Sequence, residues 1–557
     1  MGQGHLRLYM INILNKKLTT YIILALIVII GTFLRFHQLG VNPPSLNWDE
    51  ASLGYNAYSI LKTGADEYGN RLPLSIRSFD DYKPALYAYL DILPIFLFGL
   101  NEFAVRLPAA IFGVFTVIAV YFLTKEILSK TVSLITAFLF AISPWHLQFS
   151  RAAFEGNIGL FFFIAGLLFF FKALKNGSFF YLSSVLFLLS LYSYHSFRLF
   201  VPLFLLALLV IFFRRILNFK KQAIISLVIL LLLSFPIWNS FLGTGVGTGA
   251  RLSMVTIFSD PTVINPSIER INYDRSNNDH IGALFHNRRV TYSLAVAKGY
   301  LDHFNPDFLF IHGDGGVQHH AVNVGMLYLW DIPFILAGIY YLLRKYNRLV
   351  LILFMSFLLA PISASITTGT PHPVRAIGMV LGFHIFTAAG VVFLWEKIML
   401  LKNPLVKISI IFIIISSLLL NAVYYLHQYY VHTPVEYGYF WQYGYKEVFE
   451  EIGQIEDKYS KIVMTYMYDQ PYIYYLFYNK IDPSWYQKNW DYNGNEQLDR
   501  FKRVIGKYEF RNIDWGRDKN LKNTLFIGMP KEIPNNAKII KEIKFLDGSI
   551  AFRIAQT

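Results

Sequence analysis

Residues 16–36 read KKLTTYIILALIVIIGTFLRF, two lysines followed by an apolar run from Tyr21 to Phe36. A run of this kind is long enough to enter a bilayer core of about 30 Å as a helix. No small-residue cleavage pattern follows it, so it reads as a retained anchor rather than a removed signal peptide. The same texture recurs along the first three quarters of the chain. Of 557 residues, 55% are hydrophobic and only 15% charged. Soluble domains carry about a quarter charged residues, so a polytopic membrane protein is expected.

Working outward, apolar spans fall near 18–36, 104–124, 131–149, 157–174, 179–195, 198–213, 222–241, 324–343, 348–366, 374–395 and 405–424. Charge orients them. With the N-terminus inside, the inside turns hold Lys16 and Lys17, Lys125 and Lys130, Lys172 and Lys175, Arg214 to Lys221, Arg344 to Arg348, and Lys397 to Lys407. Every short inside loop is basic, as the positive-inside rule requires. The net charge of +14 is explained this way, and a nucleic-acid partner is not expected. The segment Pro84 to Leu100 is apolar, yet a crossing there would reverse every later loop. It also contains Asp91 and Pro94, and reads as a helix in the interface plane or entering only partway.

Three regions then lie outside: a first loop of 37–103, a loop of 242–323, and the tail of 425–557. The expected organisation is a transmembrane unit over 1–424 and a small extracytoplasmic α/β domain over 425–557. In the tail, Val448, Ile452 and Ile455 repeat at helical spacing. Lys461 to Tyr466 and Thr524 to Gly528 read as strands, and Ile539 to Ile554 as a hairpin turning at Asp547-Gly548. The glycine-rich stretch Gly243 to Gly249 lacks a strand–helix frame and reads as a loop, not a nucleotide cradle.

Chemistry-bearing residues gather in the outside loops. Asn47-Trp48-Asp49-Glu50 follows the first span. Adjacent acids at a membrane face must be solvated, paired or used, and a helix N-terminus accommodates them equally well. Asp81-Tyr82-Lys83-Pro84-Ala85-Leu86 sets a lysine at the start of the interfacial segment, where it can meet a lipid phosphate or simply snorkel. Asp307 to Asn323 holds His312, Asp314, Gly315, Gly316, His319 and His320, where adjacent histidines beside an acid could bind metal or acceptor, and His195 and Arg198 lie between two spans. These could line a cavity or be ordinary loop polarity. With no cysteine, thiolate catalysis and Cys-ligated zinc are excluded.

The order of an uncleaved span, Asp-Glu, Lys-Pro-x-Leu, an interfacial segment and Phe98-Gly99-Leu100-Asn101-Glu102-Phe103-Ala104-Val105-Arg106-Leu107-Pro108-Ala109 resembles the GT-C membrane glycosyltransferases. The likeness is to glycosyltransferase family 39, the protein O-mannosyltransferase and aminoarabinose transferase group, over roughly residues 18–160. The resemblance implies a mainly α, GT-C-like fold of about 11 transmembrane helices plus interfacial helices. It implies a polyprenyl-phosphate-linked sugar donor and a lipid, protein or glycan acceptor. Asp49 stands where the family has its general base or acceptor-orienting carboxylate, and Lys83 where the aminoarabinose transferases meet the donor phosphate. Ala85 replaces the second proline of their Lys-Pro-Pro-Leu. Ser150-Arg151-Ala152-Ala153-Phe154-Glu155 fits the expected second acidic position, although the mannosyltransferases carry Asp one residue further on.

The expected catalytic set is therefore Asp49, Glu50 and Glu155. Lys83, Arg375 and Arg151 are the candidate phosphate cations, and Tyr82, His195, Arg198, His319, His320 and His372 the candidate cavity residues. Asp49 with Glu155 could also hold a divalent cation: Mg, Mn, or Zn if histidine joins. The rival expectation is a transporter or lipid flippase, which places ionisable groups at mid-span. Here the span centres are nearly free of charge. The expected location is the plasma (inner) membrane, with the site outside.

Overall fold

The computed structural model describes residues 2–79, 81–242, 255–345, 348–490 and 503–557. Gly243 to Gly249 lies outside the described residues. The chain is mainly helical. Among the described residues, seven helices are long and apolar enough to cross a bilayer: Lys17–Phe36 within α1 (Gly2–Phe36), α4 (Glu102–Ile127), α7 (Glu155–Ala173), α9 (Phe197–Leu217), α10 (Lys220–Leu242), Met379–Met399, and Pro404–Glu436. The other expected spans fall on shorter apolar helices, among them α8 (Phe179–Ser193) and Asp331–Arg344.

The span expected over 131–149 is broken. Helix α5 (Lys130–Ile142) ends at Ser143, and α6 (Pro144–Arg151) leaves at 53°. Pro144 has no N–H, so the α5 ladder cannot continue through it. Arg35, fully buried at the end of α1, donates instead to the Phe140 and Ala141 carbonyls at 3.0 and 3.0 Å. Tyr328 Oη donates to the Ile142 carbonyl at 2.7 Å. The span expected from 324 likewise begins its helix only at Asp331. The residues before it pair with the bend, Trp145 N–H donating to the Met326 carbonyl at 3.1 Å.

Helix Asp331–Arg344 crosses Met379–Met399 through two glycines. A Cβ on Gly338 would strike the Phe386 carbonyl, and one on Gly390 the Phe334 carbonyl. Small residues let membrane helices approach backbone to backbone, where dispersion replaces the absent hydrophobic drive.

The first outside loop folds onto the helices. Helix α2 (Trp48–Thr63) is followed by the hairpin β1 (Ser75–Ser78) and β2 (Asp81–Pro84), in which Ile76 pairs with Lys83. Helix α3 (Leu86–Phe98) has 13 residues, too few to span. Its Leu93, Phe96, Leu97 and Phe98 are exposed, as an interface helix requires.

The tail carries a six-stranded mixed sheet. Its strands are β3 (Lys461–Met464), β4 (Arg503–Ile505), β5 (Tyr508–Phe510), β6 (Thr524–Gly528), β7 (Ile539–Lys544) and β8 (Ile550–Gln556), ordered β4-β5-β3-β6-β8-β7. The expected hairpin turns at Gly548, whose φ of 88° suits glycine. Central β3 is buried on both faces. Ile462 and Met464 join the cluster that contains Phe449, Ile473 and Phe477, and Val463 joins that of Phe526 and Ile533. The first of these clusters is continuous with Ala51, Leu53 and Tyr55 of α2. Thus the sheet domain braces the helix that carries the acidic pair.

Candidate functional site

Asn47 starts α2 by a capping box: its side chain accepts from Glu50 N–H at 2.9 Å, and Glu50 Oε2 accepts from Asn47 N–H at 3.1 Å. This fixes opposite fates for the two acids. Glu50 is turned inward, 1% exposed, and receives Arg106 Nε at 3.0 Å, Arg106 Nη2 at 3.2 Å and Ala153 N–H at 2.9 Å. Arg106 also donates to the Leu39, Pro43 and Ser45 carbonyls. The Glu50 carboxylate is thereby consumed in holding the loop entry to α4, and it has no face left for substrate. Asp49, one residue earlier, has its side chain 47% exposed.

The β1–β2 hairpin brings Lys83 to Asp49, and their side chains form an ion pair. The Lys83 side chain is only 8% exposed. Glu155, the first residue of α7, lies within the field of both Lys83 and Asp49. Tyr194 completes the wall: it hydrogen-bonds Arg375, feels Glu155 and Asp49, and burial pushes its phenol up to about 12. Arg375 Nη1 donates to Thr367 Oγ1 at 2.6 Å and to the Thr368 carbonyl at 2.9 Å.

His195 sits at the α8–α9 corner. Its Nε2 is 2.8 Å from the Tyr82 carbonyl and its Nδ1 3.0 Å from Arg198 Nη1. Arg198 can only donate, so Nδ1 accepts and Nε2–H donates to Tyr82. Burial first, and the Arg198 charge second, press the imidazole down to about 3. A neutral His195 thus ties the strand bearing Lys83 to the membrane helices.

The expected residues therefore separate into groups. Asp49, Lys83, Glu155, Arg375, Tyr82, His195 and Arg198 converge, whereas Arg151 does not present a phosphate cation. Its guanidinium is 1% exposed and spent on the Leu34, His37 and Asn42 carbonyls and on Tyr429 Oη. It closes the open end of α1. His320 is buried with Nδ1 2.9 Å from its neighbour Ala321's carbonyl and Nε2 2.9 Å from that of Asp314. His319 and His372 meet with ring centroids 5.0 Å apart and planes tilted by 41°, beside Phe154. Tyr194 was not anticipated; only its place in the α8–α9 corner beside His195 could have drawn notice.

A divalent cation is not accommodated by these side chains. The Lys83 ammonium stands against Asp49, and among the described residues no group of three or more His, Asp or Glu is arranged to hold a metal.

Comparison with known proteins agrees with this architecture. Residues 82–238 match the family model described as dolichyl-phosphate-mannose-protein mannosyltransferase. Apo ArnT from Cupriavidus metallidurans superposes with a TM-score of 0.54 at 12% identity, over 96% of this chain and 97% of that one. ArnT bound to undecaprenyl phosphate gives 0.51 at 11% identity, over 95% and 97%. An Archaeoglobus fulgidus oligosaccharyltransferase tethered to an acceptor peptide gives 0.52 at 14% identity, over 84% of this chain and 63% of that one. The chain thus spans less than two thirds of the oligosaccharyltransferase. No curated protein sequence matches. Fold and spans together define a polytopic membrane protein with the GT-C fold of membrane glycosyltransferases.

Proposed function

We propose that the chain is a glycosyltransferase that moves a monosaccharide from a polyprenyl-phosphate carrier to an acceptor hydroxyl, with inversion, at the outer face of the plasma (inner) membrane. The observation that carries this reading is the Lys83–Asp49 ion pair at the mouth of the helical unit, flanked by Glu155 and Arg375. The basic inside loops support a cytoplasmic N-terminus with the site and the tail outside. The undecaprenyl phosphate in the superposable ArnT structure supports the carrier class.

The acceptor oxygen attacks the anomeric carbon while the bond from that carbon to the phosphate oxygen breaks. The leaving electron pair stays on polyprenyl phosphate, which gains negative charge. That departure needs no general acid, only cations, and Lys83 and Arg375 supply them. The acceptor proton passes to the Asp49 carboxylate. In the resting pair, Lys83 and Asp49 neutralise each other. A donor phosphate competes for Lys83 and leaves Asp49 unpaired, so donor binding readies the base. Adjacent Asp49 and Glu50 cannot bracket one bond as hydrolase acids do, since Glu50 is locked on Arg106.

The test is to incubate membranes containing the protein with labelled polyprenyl-phosphate sugars. Label should leave the lipid-phosphate fraction and appear on a new product. Label that crosses the bilayer while still attached to its carrier would support a flippase instead and sink the transferase reading.

A further inference from the structure

The loop His312–Ala321 lies beside the acids and cations, and the transfer chemistry above leaves it unused. It is folded around one side-chain pair. Asp314 Oδ2 is 2.8 Å from His319 Nδ1, and the Asp314 side chain is 5% exposed. The backbone closes tightly on this pair. A Cβ on Gly316 would lie 2.5 Å from His319 Nδ1 and 3.0 Å from Asp314 Oδ2. Gly313, with φ of 77°, admits the His320 ring, whose Nε2 holds the Asp314 carbonyl at 2.9 Å. Gln148 Nε2 donates to the Gln318 carbonyl at 2.7 Å, fastening the loop to α6.

A carboxylate accepts, so His319 Nδ1 carries a proton, and in the neutral form of the ring Nε2 keeps the lone pair. Nε2 makes no hydrogen bond among the described residues, and the ring is 15% exposed. The second Asp314 oxygen is buried without a partner. Around the ring stand His372, Phe154 and Phe149, with centroids 5.0, 5.7 and 5.9 Å away. Phe154 immediately precedes Glu155, and His372 is fixed by its N–H to His303 Nε2 at 3.0 Å, three residues before Arg375. The pair therefore borders the proposed reacting centre and offers one hydrogen-bond acceptor, His319 Nε2, among aromatic faces. An anionic ligand would meet the Asp314 charge; a hydroxyl-rich ring supplies donors to Nε2 and C–H faces to the aromatics.

We propose that the Asp314–His319 pair, walled by Phe149, Phe154 and His372, is the acceptor subsite and that it takes a saccharide, with a sugar hydroxyl donating to His319 Nε2. This rests on the transferase reading and narrows its acceptor from any hydroxyl to a glycan.

The test uses the full-length protein in nanodiscs with undecaprenyl phosphate, and methyl α-mannoside, methyl β-glucoside and a serine-containing peptide as probes. Binding is followed by saturation-transfer NMR. At least one glycoside should bind saturably. His319→Ala should weaken it about tenfold, the worth of one good hydrogen bond. Gly316→Ala, which displaces the pair without removing it, should weaken it in the same sense. Lys83→Ala should weaken undecaprenyl phosphate and leave the glycoside bound. Glycoside affinity unchanged in both loop variants, lipid binding without any glycoside binding, or a His319-dependent peptide in the glycoside's place would each overturn the proposal. Loss of lipid binding by the wild type would strike the donor reading alone, because glycoside binding is scored separately. Unfolding temperatures of the variants separate local loss from misfolding.

Discussion

Lys83 Nζ lies against Asp49 Oδ1, the ammonium buried and the carboxylate about half exposed. The pair joins the N-terminal turn of α2 to the last residues of a hairpin, so each partner is held by a different element. Asp49→Asn keeps the shape and loses the proton acceptor. Turnover should fall by about two to four orders of magnitude, the usual contribution of a general base, with expression and membrane insertion unchanged. Lys83→Ala should raise the KM for donor far more than that for acceptor. A variant Asp49→Asn with near wild-type turnover would remove Asp49 from the chemistry.

The neighbouring acid should behave oppositely. Removing one partner of a buried ion pair leaves the other charge stranded, at about 3–5 kcal/mol. Glu50→Ala and Arg106→Ala should each lower the unfolding temperature sharply and reduce yield. Asp49→Asn should cost less than either, since the half-exposed carboxylate leaves water to screen the charge that remains on Lys83. Equal stability of the Glu50 and Asp49 variants would contradict the assignment.

His195 carries a pH signature. Its folded pKa, about 3, lies below the usual 6.5. The unfolded chain therefore binds more protons between those values, and stability contributed by the neutral ring is lost as pH falls from 6.5 towards 3. The slope is at most about 1.4 kcal/mol per pH unit. Unfolding temperatures across that window should fall more steeply for wild type than for His195→Gln. Parallel curves would show that His195 does not titrate there.

Glu67 should give the reverse slope. It is fully buried between α2 and the sheet domain, and burial pushes its carboxyl up to about 7 against the opposing Arg503 charge. Stability from the protonated acid is complete below 4.5 and drains as pH climbs through 7. Glu67→Gln should flatten that decline, as read by thermal unfolding between pH 5 and 8. A decline that survives the substitution belongs to another group.

The glycine crossing gives a packing test. Gly338→Ala or Gly390→Ala places a methyl on the facing carbonyl. Each should cost about 1–3 kcal/mol, the range for overpacking, with the donor KM little changed. Unfolding of the purified protein in detergent would check it, and an unshifted midpoint would mean the helices separate freely.

Hydropathy and charge, both local properties, made the helical membrane class, the non-spanning segment at 86–98 and the tail strands β3, β6, β7 and β8 legible in the sequence, whereas the three-residue strands β4 and β5 are too short to show a pattern. The acids and cations were legible as residue types, because few reasons exist for placing them at a membrane face. Their division of labour was not. Asp49 and Glu50 are adjacent and look alike, yet Glu50 is claimed by Arg106, 56 residues away, and Arg151 by the end of α1, 117 residues away. The bend at Pro144 shows the same limit: the proline was visible, but Arg35, which compensates the broken ladder, comes from another helix. A lone residue's hydrogen-bonding capacity is fixed by its chemistry, whereas who spends that capacity is fixed by which distant backbone arrives beside it. The sequence by itself determined where the apolar runs and the charged segments between them lie; only the tertiary structure decided which charges are left for a substrate.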